Sequence, residues 1–154
     1  MNKQITIKEY IENILRTSDF AVLATEGNGQ PHVSLVAITP IGNCRQLVFA
    51  TYRNTLKYRN LESNGKVAVL IESGAVNEND PGKRTVLTIT GHTEEISITK
   101  NEAVCQAHLK RHPEMESFMS SSDCALIMVN AQSYQIVNGI DDIRWISADE
   151  LDSI

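Results

Sequence analysis

Apolar and polar positions follow two rhythms along this chain, and the switch between them marks out its elements. Over residues 7–15, Ile7, Tyr10, Ile11, Ile14 and Leu15 recur at helical spacing, which lays one apolar stripe along a helix. Thr6 and Glu9 stand three apart at its start, a capping box that sets the first turn at Ile7. The rhythm then tightens. FAVLAT (20–25), HVSLVAIT (32–39) and QLVFAT (46–51) are short apolar runs and read as buried strands. EGNGQP and PIGNCR separate them, and Asn28-Gly29 accepts positive φ cheaply. Strands joined this closely make an antiparallel meander.

TLKYRNLESNG follows as a short helix, with Thr55 as N-cap and Asn64-Gly65 as its stop. KVAVLIE (66–72) is the next strand, and SGAVNENDPGK is a polar loop rich in breakers. RTVLTITGHTEEISI gives one or two strands bending at Gly91. Thr99 with Glu102 forms a second capping box, opening a helix to about His112 that Pro113 ends. CALIMVNA and SYQIV are the last strands, with NGIDDIRWIS beyond them. Six or seven strands and three modest helices predict a mainly β (β+α) fold, an antiparallel Greek-key-like barrel with flanking helices. Closing the sheet removes the edges that so many apolar strands would expose.

Composition narrows the function classes. The 154 residues are expected to form one domain, since 42% are hydrophobic and 21% charged, enough for one core under a solvated surface. A net charge of -5 and a pI near 5.3 exclude the basic stripe that a nucleic-acid partner needs. No apolar run approaches the roughly 20 residues of a membrane span, and the polar start MNKQITIKEYIEN differs from a secretory leader. A soluble, cytoplasmic protein is expected. Cys44, Cys105 and Cys124 are odd in number and far apart, which excludes a disulfide framework and leaves buried free thiols.

FATYRNTLK (49–57) is the densest stretch of candidate chemistry. A strand that delivers the chain to a helix N-terminus offers free N–H groups and the positive end of a dipole to an anion. Thr51 and Thr55 add hydroxyls, and Arg53 and Lys57 add charge. The plainer reading leaves Thr55 as a cap and the basic residues as a solvated face. Both stand at this point.

The blocks GQPHVSLVAI, LVFATYRNTLKYRNLESNGKVAVLIE and TVLTITGHTEEI, in that order, resemble the pyridoxamine 5′-phosphate oxidase-like split-barrel flavoproteins. The resemblance runs from about Phe20 to Val129. It implies a split β-barrel and a homodimer with FMN in a groove at the subunit interface. It implies that Thr51, Thr55 and Lys57 hold the FMN phosphate, with Asn60 and Leu61 keeping the helix in register. Ser34, Leu35, Val36 and Ala37 would line the flavin ring, and Trp145, with Arg144, would approach it from a partner subunit. An FMN-dependent oxidoreductase acting on a small substrate, with NAD(P)H as a possible donor, follows from the resemblance. The alternative is a non-catalytic FMN or small-ligand carrier, sensor or stress protein. No catalytic residue is identified.

The chain also departs from that pattern. Ser34 stands where the vitamin oxidase proper has arginine, and Leu56-Lys57 where it has Arg-Lys. The C-terminal extension that grips the vitamin phosphate is not visible in NGIDDIRWISADELDSI. Oxidation of the vitamin itself is therefore not expected. The tail also loosely resembles the haem-utilisation branch of the superfamily. Lys83 and Arg84 close the polar loop and are candidates for holding an anion. Cys105, His108 and His112 share one helix face at a spacing that can ligate zinc, but with no fourth ligand they read as buried and helix-terminal side chains, and no metal is expected.

Overall fold

The computed structural model describes residues 6–73 and 84–153. Eight strands form one sheet: β1 (Phe20–Gly27), β2 (Gln30–Ala37), β3 (Thr39–Ile41), β4 (Gln46–Tyr52), β5 (Lys66–Ser73), β6 (Thr85–Ile96), β7 (Cys124–Asn138) and β8 (Asp142–Ser147). Their order is β2-β1-β5-β6-β7-β4-β3, with β8 also on β7, and every pairing is antiparallel. β2 passes into β3 through Ile38 alone, whose N–H donates to the Asp19 carbonyl at 3.0 Å. The two ends of the path are thus one stretch of chain, and the sheet curls into a half-barrel with flanking helices, a split barrel. Eight strands replace the six or seven expected. The extra ones are β3, which grew out of an expected turn, and β8, which folds the C-terminal segment back as a hairpin.

β7 organises the rest. Along one edge it pairs with β6 over Leu126–Asn138; along the other it pairs with β4 over Cys124–Asn130 and with β8 over Ser133–Asn138. The expected break within each of the two long strands is instead one bulge. Thr90 faces Ser133 and Gly91 faces Ala131, leaving Gln132 as the extra residue. A Cβ on Gly91 would overlap the Asn130 carbonyl oxygen, so only glycine lets the strands approach this closely.

Inward residues of the strands, among them Leu23, Val36, Phe49, Val69, Leu87, Ile127 and Tyr134, form the main core with Ile11, Ile14 and Leu15 of α1 (Ile7–Thr17). Thr6 caps α1 as its sequence predicts, accepting from the Glu9 N–H at 3.1 Å. A second cluster lies on the outer face of β4 and β7. There Val48, Ala50, Leu126 and Met128 pack on Cys105 of α3 (Glu102–Arg111) and Met119 of α4 (Glu116–Ser120). The second capping box does not form: α3 starts after Asn101, without a side-chain cap, and the Thr99 hydroxyl pairs with Ser97 at 3.1 Å. The three cysteines are free and buried.

The Cys105/His108/His112 face of α3 is a docking face. His108 Nδ1 lies 2.7 Å from the Thr39 hydroxyl, and His112 Nε2 donates to the Ile38 carbonyl at 2.7 Å. Between them Arg111 donates to the carbonyls of Leu15 and Ser18 at the end of α1. The helix therefore clamps the end of α1 to the joint between β2 and β3. Apart from Ser73, the expected loop SGAVNENDPGK lies outside the described residues.

His108 is fully buried, and its Nε2 has no hydrogen-bond partner among the described residues. Burial pushes its pKa down to about 4, with nearby His112 adding to the shift. An unfolded imidazole takes its proton near 6.5, so the unfolded chain binds more protons between the two values. Stability is complete above the upper value and is lost as pH falls towards the lower, by about 3 kcal/mol in all. Urea unfolding at neutral pH and at mildly acidic pH should show this loss, and His108→Asn should flatten it. Equal acid sensitivity in that variant would sink the assignment.

Candidate functional site

β4 carries five consecutive buried residues, Leu47–Thr51, and the chain then turns abruptly polar. Tyr52 faces outward and stacks on Phe118, ring centroids 3.9 Å apart. Thr55 caps α2 (Leu56–Ser63): its hydroxyl accepts from the Tyr58 N–H at 3.3 Å and donates to the Tyr52 carbonyl at 2.8 Å. Thr51 Oγ1 lies 3.2 Å from Thr55 Oγ1, and Lys57 Nζ donates to Thr51 Oγ1 at 3.4 Å. Three of the expected anion ligands are thus brought together. The N–H groups of Leu56 and Lys57 meet no acceptor among the described residues.

Lys57 is half-buried, yet no carboxylate among the described residues lies within 4.0 Å of it. Burial alone holds its pKa below the usual lysine range. A buried cation without a counter-ion is costly unless something anionic joins it. Unpaired N–H groups, two hydroxyls and this ammonium together fit a phosphate ester.

α2 is seated on β1. Asn60 is buried, and its Nδ2 donates to Thr25 Oγ1 at 3.1 Å; Asn64 Nδ2 donates to Glu26 Oε2 at 2.8 Å. That bond and one from the Gly29 N–H hold the Glu26 carboxyl below its ordinary value. Asn60 and Leu61 do keep the helix in register, Leu61 by packing on the main core.

The other expected ligands divide. On β2, Val36 belongs to the core, Leu35 points outward and is 68% exposed, and Ala37 is half-buried. Ser34 sits opposite Leu23 at an inward position, and its Oγ is buried without a hydrogen-bond partner among the described residues. Among the described residues β2 pairs only with β1. Arg53 does not join the cluster: its guanidinium is held by Glu95 at 2.7 Å and by the carbonyls of Ser122 and Cys124. Arg84 pairs with Glu72 at 2.6 Å. Thr51 faces Ala125 on β7, whereas Thr85, next to Arg84, faces Asn138, 13 residues further along (138 − 125). At about 3.3 Å per residue the two ends lie roughly 40 Å apart along the strand. Trp145 faces Gln135 and is 62% exposed. Neither Arg84 nor Trp145 reaches the Lys57 cluster within one chain. Sequence reasoning missed Glu95 and Tyr58, for their partnership spans 37 residues and leaves no local signal.

The chain belongs to the pyridoxamine 5′-phosphate oxidase family, whose profile matches residues 7–136. Solved structures agree on the fold. A heme binding protein from Mycobacterium smegmatis superposes with a TM-score of 0.87 at 20% identity, over 99% of this chain and 62% of that one. A Clostridium acetobutylicum protein related to general stress protein 26 of B. subtilis, of the pyridoxinephosphate oxidase family, gives 0.72 at 14% identity over 95% and 99%. An FAD-binding protein from Mesorhizobium loti gives 0.67 at 13% identity over 82% and 91%. No curated protein sequence matches the chain. Among the described residues, no helix is long and apolar enough to cross a membrane.

A Cβ on Gly27 would overlap Asn60 Oδ1. Gly27→Ala should therefore unseat α2 and cost about 1–3 kcal/mol of stability, read as a lower denaturant midpoint. An unchanged midpoint would show that Asn60 does not fix α2.

Proposed function

We propose that this protein binds FMN, with the phosphate at the β4–α2 junction and the ring along β2, and acts as an FMN-dependent oxidoreductase on a small substrate. The observation that carries this is Lys57, a half-buried ammonium over two threonine hydroxyls with no carboxylate beside it among the described residues. FMN, when bound, would supply hydride or single-electron chemistry. The chain's own part is grip and orientation. Lys57 balances phosphate charge, the N–H groups of Leu56 and Lys57 donate to its oxygens, and the Ser34–Ala37 backbone offers an edge to the ring.

The working unit in this proposal is a homodimer. Val22 faces both Leu35 and Leu70, and Ile143 and Trp145 occupy alternate positions of β8 opposite Val137 and Gln135. Phe20, Val33, Leu35, Leu70, Ile143 and Trp145 are all exposed large apolar side chains, and an apolar surface this extensive favours a partner. A second copy would also bring Trp145 and Arg144 to a site they cannot reach at home. Leu35→Asp should then convert a dimer to a monomer in sedimentation; a monomeric unaltered chain would refute the interface.

The cofactor test is direct. Purified protein should be yellow and release FMN on denaturation. Lys57→Ala should weaken FMN about tenfold or more, as loss of a charge-assisted bond does, while riboflavin, which lacks the phosphate, binds as before. Equal affinity for FMN in that variant would refute the phosphate site. NADH or NADPH bleaching the bound flavin supports the oxidoreductase. Inert flavin supports the second reading, a non-catalytic binding protein. The Mycobacterium relative's heme makes a Soret band the outcome that replaces flavin altogether.

A further inference from the structure

Behind the junction lies a second polar cluster, and it is built around one carboxylate. Tyr58 donates its hydroxyl to Glu95 Oε1 at 2.5 Å, and Arg53 Nη2 donates to Glu95 Oε2 at 2.7 Å. Arg53 Nη1 reaches the carbonyls of Ser122 at 3.2 Å and Cys124 at 3.1 Å, and its backbone N–H donates to Asp123 at 2.9 Å. The guanidinium also lies 6.0 Å from the Tyr58 ring centroid. Burial works to raise the Glu95 carboxyl, but the bonds from Tyr58 and Arg53 outweigh it and hold it below the usual range. The carboxylate stays ionised at neutral pH.

As a stabiliser this cluster is weak. Arg53 and Glu95 are 40% and 38% exposed, and ion pairs that wet contribute little. Geometry is its larger effect. Arg53 precedes the helix cap Thr55 and Tyr58 follows it, so one carboxylate from β6 fixes the chain on both sides of the turn that carries Thr55 and Lys57. It also neutralises Arg53, which leaves Lys57 as the cation of this turn with no carboxylate beside it among the described residues.

We propose that Glu95, acting through Tyr58 and Arg53, is a positioning residue for the anion site: a peg around which the 53–58 turn is wrapped. This rests on the phosphate site proposed above. The peg holds the α2 N-terminus at the distance from β4 at which the Thr51 and Thr55 hydroxyls and the Lys57 ammonium converge. An acid thereby supports the binding of an anion, contrary to what charge alone would give.

That reversal of sign supplies the test. Tyr58→Phe removes one hydroxyl and leaves ring, carboxylate and charge in place. It should lower FMN affinity about threefold to tenfold and leave riboflavin affinity unchanged, whereas a merely structural bond would affect both ligands alike. Glu95→Ala should show the same phosphate-selective loss, and a larger one, although it removes a negative charge. An unchanged FMN-to-riboflavin ratio in Tyr58→Phe, or tighter FMN binding in Glu95→Ala, overturns the peg. Should Glu95→Ala not fold, Tyr58→Phe decides alone. FMN binding that Lys57→Ala weakens and Tyr58→Phe does not would remove the peg and keep the site. Failure of the unaltered chain to bind FMN removes both.

Discussion

β4 is buried from both sides, and that constraint decides where this protein can keep polar groups. Leu47 and Phe49 face the main core, while Val48 and Ala50 face the outer cluster under α3 and α4. A donor in the middle of such a strand would lose water on either face and cost about 1–3 kcal/mol if unpaired. The first residue that can carry one is Thr51, because Thr55 and Lys57 come back to meet it. Donors crowd the exit of the strand because the strand itself excludes them. The helix that follows adds its unpaired N–H groups to the same spot.

Two cations leave that exit and meet opposite fates. Arg53 has five donors in a fixed fork and binds one carboxylate and two carbonyls. Lys57, four residues on, is half-buried and, among the described residues, its ammonium hydrogen-bonds a single hydroxyl. Burial lowers its pKa, while hydrogen bonds to Glu95 and then Tyr58 raise that of Arg53. The side chain with the stronger anion grip is thus locked into the frame, and the weaker one is left facing the cluster. A phosphate held by one lysine is held less tightly than by paired guanidiniums.

Most elements were legible because they obey local rules. The stripe of α1, its Thr6 cap, the Thr55 cap of α2 and the apolar runs of β1, β4 and β5 each reappear where periodicity puts them. What escaped is non-local. β3 forms because Ile38 must bridge the two ends of the sheet, and Thr39–Ile41 then pair with Gln46–Val48. β8 exists because β4 begins only at Gln46, opposite Asn130, and leaves the second half of the β7 edge free. Ser97 takes the Thr99 hydroxyl, so the expected cap of α3 is lost to a neighbour. In the candidate site, Thr51, Thr55 and Lys57 lie within one turn and were readable. Arg53 was assigned by its nearness in sequence, and its true partner, Glu95, lies 42 residues away. Likewise the spacing of Cys105, His108 and His112 marks one buried helix face but does not say what it docks on; the positions of Thr39 and Ile38 do.

The division of β7 between two partners also separates the molecule's chemistry into two ends. Near Cys124 the strand anchors β4, the Arg53 frame and the Lys57 cluster; near Asn138 it carries Trp145, Arg144 and the start of β6. Thirteen residues of β7, about 40 Å measured along the strand, separate Ala125 from Asn138. Under the proposed function, a site that uses both ends is assembled from two chains. In the proposed dimer the same exposed apolar face that drives association, from Leu35 to Trp145, would bring them together. Completion of the site and burial of that face would then be one event. A monomer would keep its phosphate grip while lacking the far wall of the ring pocket, and so would lose affinity for the ring more than for the phosphate.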